Sequence, residues 1–70
     1  MLYIFKYLKR DKFIEGGKAE WKRDETRFTA ENDAGAKVFA KIYLTEKREA
    51  FPENEYQAVE LLAVRSVEIW

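Results

Sequence analysis

Between Asn32 and Glu49 the apolar positions follow a helical period. Ala36, Phe39, Ala40, Ile42, Tyr43 and Leu44 fall in one broad arc, while Lys37, Lys41, Thr45 and Arg48 lie on the other side and Val38 is out of phase. Asn32 is placed to cap the N-terminus, Asp33 suits the positive end of the helix dipole, and Lys47 and Arg48 suit its negative end. Phe51-Pro52 stops the helix, because a residue that precedes proline avoids the α region.

The segments on either side alternate instead. Leu2–Arg10 is rich in aromatic and branched residues and too short for an independent helix, so it reads as a strand. Gly16-Gly17 is a hairpin signal, and a turn there pairs residues whose numbers sum to 33. That register sets Phe5 against Phe28, Tyr7 against Thr26, Lys9 against Asp24 and Asp11 against Lys22. Such pairs contribute a few tenths of a kcal/mol each. A looser loop over residues 11–19 is the alternative. The same register sets Lys6 against Arg27 and Arg10 against Arg23 on the opposite face, which calls for an anionic group nearby.

Residues 57–70 alternate as a long final strand, with Val59, Leu61 and Ala63 on one side and Leu62, Val64 and Trp70 on the other. A competing reading opens a second helix at Pro52. With the strand reading, the chain is a single α+β domain over residues 1–70, β-β-α-β. Its three-stranded antiparallel sheet has the order 2-1-3, with the helix packed on the Phe5/Phe28 face.

Composition narrows the chemistry. With no cysteine and no histidine among 70 residues, disulfides, thiolate metal sites and the commonest general base are all missing, and no metal or other cofactor is expected. Carboxylate pairs such as Asp24/Glu25 lack any scaffold for acid–base work and read as solvated surface. An enzyme is not expected. No apolar run approaches the roughly 20 residues of a membrane span, and the N-terminus does not read as a signal peptide, so a cytoplasmic protein without a membrane partner is expected. A chain of this length gains little from its own core, and oligomerisation is the remaining support.

Formal net charge is zero, but residues 1–28 carry eight cations against five anions (+3) and residues 29–70 five against eight (−3). Lys6, Arg10, Lys12, Arg23 and Arg27, with Trp21 among them, share the face away from the helix. They suit single-stranded nucleic acid if left free, since aromatic stacking is worth about 1–3 kcal/mol per base. They are ordinary surface if Glu25, Glu60 and Glu68 neutralise them. Ile4, Leu8, Leu62, Val64 and Trp70, with Leu2, point to that same face and mark an interface unless the loops, through Phe13, Ile14, Phe51 and Tyr56, fold over them. The favoured reading is a non-catalytic interaction module that forms a homodimer and binds a protein partner through this face. The alternative is a small single-stranded nucleic-acid-binding protein.

Overall fold

The structure, a computed structural model, describes residues 1–12 and 19–64. It contains β1 (Leu2–Asp11), β2 (Lys22–Thr29), α1 (Asp33–Ala50) and β3 (Asn54–Val64). Both β2 and β3 pair antiparallel with β1, giving the order β2-β1-β3. The α+β class, the connectivity and the central position of β1 are those expected from the alternation. Residues 54–64 are strand, which excludes the second helix and starts β3 three residues earlier than the alternation suggested.

The hairpin register differs from the one derived from Gly16-Gly17, which lie outside the described residues. Paired numbers sum to 31: Tyr3 faces Phe28, Phe5 faces Thr26, Lys6 faces Glu25, Tyr7 faces Asp24 and Leu8 faces Arg23. The ladder closes where Met1 and Ala30 exchange backbone hydrogen bonds of 2.9 and 3.0 Å. Cross-strand chemistry accounts for the choice. The slip removes the Lys6/Arg27 and Arg10/Arg23 oppositions, sets a carboxylate opposite Lys6, and stacks Tyr3 on Phe28 at 5.7 Å. Its one like-charge pair, Lys9 opposite Lys22, is relieved by Asp24, 3.5 Å from the Lys9 ammonium. Because strand side chains alternate with period two, a slip of two leaves every residue on the face first assigned to it.

Helix α1 begins at the expected cap: the Asn32 side chain accepts from the Gly35 amide at 2.8 Å. Asp33, in the first turn, also accepts from the Tyr3 hydroxyl at 2.7 Å, tying the helix start to the central strand. The Phe51 amide bonds back to the Lys47 carbonyl at 2.9 Å, ahead of Pro52. The face that α1 buries is narrower than the predicted arc. Ala36, Ala40 and Leu44, one turn apart, are buried against Tyr3, Phe5, Tyr7 and Phe28. The two alanines let the helix lie close to β3, and larger rings fill the space toward β1 and β2. Phe39 stacks on Phe28 at 3.9 Å, and Tyr43 meets Phe5 and Tyr7 edge-on. Ile42, placed by the wheel in the covered arc, is instead 52% exposed, so its side of the arc faces solvent.

In β3 the ladder steps from Lys6↔Glu60 to Tyr7↔Ala58, leaving Val59 as a bulge. The bulge corrects the alternation derived for this strand. Val59 leaves the side of Leu61 and Ala63 and is exposed; Ala58, opposite Tyr7, takes its place on the core side while itself exposed, and Tyr56 packs against the aromatic core. No helix among the described residues is long and apolar enough to cross a membrane.

Candidate functional site

Helix α1 covers one face of the sheet. The opposite face is built by alternate residues of three strands whose other neighbours form the core. Leu2, Ile4, Lys6, Leu8 and Arg10 come from β1, Arg23, Glu25 and Arg27 from β2, and Leu62, Val64, Glu60 and Glu55 from β3. Leu2↔Val64 and Ile4↔Leu62 are directly paired, so four aliphatic side chains form one contiguous patch across β1 and β3. Leu2, Ile4 and Val64 are half-buried by their neighbours, and Leu62 is exposed. None of these four side chains belongs to the core cluster that α1 covers. Of the residues expected at this interface, Ile4, Leu8, Leu62 and Val64 share the face, and Trp70 lies outside the described residues. Phe13 and Ile14, the suggested cover, are also outside them. Phe51 is exposed, and Tyr56 packs on the core side against Tyr7.

Toward the other end the face becomes charged, around a shallow basin of about 680 Å³ bordered by Lys6, Leu8, Arg23, Glu25 and Glu60. Lys6 stands between Glu25 of β2 and Glu60 of β3 in the ladder. The Arg27 guanidinium is 3.7 Å from the Glu25 carboxylate. Arg10 is engaged twice: its Nε donates to Glu55 at 2.6 Å, and its guanidinium lies 4.3 Å from the centroid of the Trp21 ring. Three of the six basic or aromatic positions singled out from the sequence, Lys6, Arg10 and Arg27, thus have a carboxylate beside them, and Trp21 carries Arg10 on its ring. Arg23 faces Leu8 and is exposed, as is Lys12, whose backbone amide extends the ladder to the Glu53 carbonyl at 2.9 Å. Glu68, the third suggested counter-charge, is outside the described residues. From the sequence Glu55, with Glu53, read only as solvated surface, and it was not among the suggested counter-charges because β3 was started too late to include it.

On the helix side, sequence reasoning missed a cluster of polar groups at the sheet edge. The Tyr7 hydroxyl donates to Asp24 at 3.0 Å and lies 3.3 Å from the Tyr43 hydroxyl. Only the slipped register places Asp24 opposite Tyr7. Asp24 sits below its ordinary pKa of 3.8: burial opposes its charge, but the Glu25 amide, the Tyr7 hydroxyl and the Lys9 ammonium outweigh that. A carboxylate with a depressed native pKa stabilises the fold fully above the ordinary carboxylate range, and the stabilisation is lost as pH falls through the lowered value. Urea midpoints followed from about pH 6 down to about pH 2 are therefore expected to fall less steeply for Asp24→Asn than for the parent chain. Equal slopes would show that Asp24 is no better held in the native state than in the unfolded one.

Among the described residues no group of three acidic side chains converges to hold a metal ion. The arrangement is that of a contact surface: a flat apolar patch continuous with a belt of mixed charge. Comparison with known proteins gives no matching family model, no matching curated protein and no matching solved structure.

Proposed function

We propose that this chain is a non-catalytic interaction module that self-associates through the sheet face left open by α1. The observation that carries the reading is the contiguous patch of Leu2, Ile4, Leu62 and Val64 on a two-layer domain whose described core holds seven buried side chains. Covering such a patch with a second copy removes apolar area from water at roughly 25 cal/mol per Å², a substantial gain for so small a core. The surrounding charges favour the same occupant. Lys6, Arg23 and Arg27 share the face with Glu25 and Glu60, so a two-fold arrangement can set cations of one copy against acids of the other. A polyanion fits this belt less well, because it would meet those carboxylates and a Trp21 ring already carrying Arg10.

Sedimentation equilibrium from roughly 10 μM to 1 mM is expected to give a concentration-dependent dimer. Leu62→Lys, at an exposed position, is expected to weaken it at least tenfold while leaving the far-ultraviolet spectrum unchanged. A parent chain that stays monomeric throughout, or a Leu62→Lys chain that dimerises equally well, rules the proposal out.

A further inference from the structure

A second surface lies on the other side of the sheet, at the flank where α1 meets the outer edge of β3. Here a groove of about 550 Å³ has an aliphatic floor that includes Ala40, Leu44, Ala58 and Leu61. One wall is the polar side of α1, where Lys37, Lys41 and Arg48 project at intervals of about one and two turns. Among the described residues neither Lys37 nor Lys41 has an ion-pair partner. Arg48 reaches across and donates to the Tyr56 carbonyl of β3 at 3.3 Å. Strand β3 pairs only with β1 among the described strands, so its outer edge is open.

We propose that this flank binds an extended peptide of a partner protein with an acidic residue at every second position, lying along the outer edge of β3. The spacing fits. Lys37 and Lys41, four residues apart on a helix, are separated by about 6 Å along its axis. Alternate side chains of a strand are about 6.8 Å apart, so acids at every second position of the peptide meet successive lysines. The intervening side chains point away from α1, to the other face of the extended sheet, and the peptide backbone has an unpaired edge to bond to on either side of the Val59 bulge. Single-stranded nucleic acid is the less suitable occupant of the same charges. The floor is mostly aliphatic, and its one ring, Phe5, is 3% exposed and offers no face for base stacking.

The test is an amide NMR titration of the full chain at low salt with an acetylated eight-residue peptide of alternating Glu and Val. Shifts are expected at residues 37–48 and 58–61, with at least tenfold weaker binding to the Lys37→Glu/Lys41→Glu variant. Both positions are exposed, so the variant's own spectrum verifies that the fold is kept. A Lys/Val peptide of the same length is expected not to bind. The proposal fails if the Glu/Val peptide gives no shifts, if its shifts fall on the open face around Lys6 and Leu62, if charge reversal leaves affinity unchanged, or if the Lys/Val peptide binds equally well. It also fails if an eight-residue oligothymidylate binds the same flank more tightly, which would assign the cations to nucleic acid.

Discussion

Tyr7→Ala is expected to lower stability by about 3–5 kcal/mol, the usual cost of emptying an aromatic site in a packed interior. A domain of this size has roughly 4–10 kcal/mol in total, so the variant is expected to be largely unfolded near the upper end of that loss. The size of the effect follows from position. Tyr7 is 2% exposed at the centre of the middle strand, and its ring contacts Phe5, Tyr43 and Tyr56, drawn from β1, α1 and β3. No other element can collapse into the void without moving the helix. Tyr7→Phe separates the polar part. It keeps the ring and removes the bonds to Asp24 and Tyr43, at about 1 kcal/mol. It also carries a pH signature. Burial first, then the bonds to Tyr43 and Asp24, push the Tyr7 phenol well above its ordinary value of 10.0. A raised native pKa means that the unfolded chain ionises first, so this stability is complete below about pH 10 and is lost as pH rises beyond it. Urea midpoints of the parent are expected to fall above about pH 10, and those of Tyr7→Phe to fall less. An unchanged midpoint for Tyr7→Ala would show that the aromatic cluster is not the core.

The helix and the faces of the first two strands were legible in the sequence because both depend on periodicity, which errors of detail do not disturb. The register error illustrates this. Gly16-Gly17 suggested sums of 33, the chain uses 31, and Tyr3, Phe5, Tyr7 and Phe28 are buried under either. What the slip changed is which charges meet. Lys6 gained Glu25 in place of Arg27, and the apparent demand for an external anion largely disappeared. Opposing pairs worth tenths of a kcal/mol are too weak to single out a register from sequence, whereas the stack of Tyr3 on Phe28 and the Tyr7–Asp24 bond become visible only in three dimensions. The Val59 bulge was illegible for a related reason. A bulge interrupts the alternation by one residue, and Val59 is as apolar as the core residue it was mistaken for. The open face carries no motif with a required spacing, so sequence could mark its apolar and basic members without naming what they meet.

The stripe that α1 buries can be tested by a contrast between two residues of one arc. Leu44→Ala is expected to cost about 2–5 kcal/mol, as for other buried leucines, because Leu44 is 4% exposed and closes the core below Phe5 and Tyr7. Ile42→Ala, at a position 52% exposed, is expected to stay within about 0.5 kcal/mol of the parent, since alanine's better helix propensity offsets the little packing that is lost. On the wheel the two residues are interchangeable members of an apolar arc. They differ because Ala36 and Ala40 draw the helix against β3, which turns Leu44 inward and leaves Ile42 outside. Urea melts of the two variants read this rotation directly. Equal losses would mean that α1 sits on the sheet by its whole arc, and the groove beside Lys37 and Lys41 would then close. A large loss at Leu44 alone fixes the helix in the orientation that leaves that groove, and the open edge of β3 beside it, accessible.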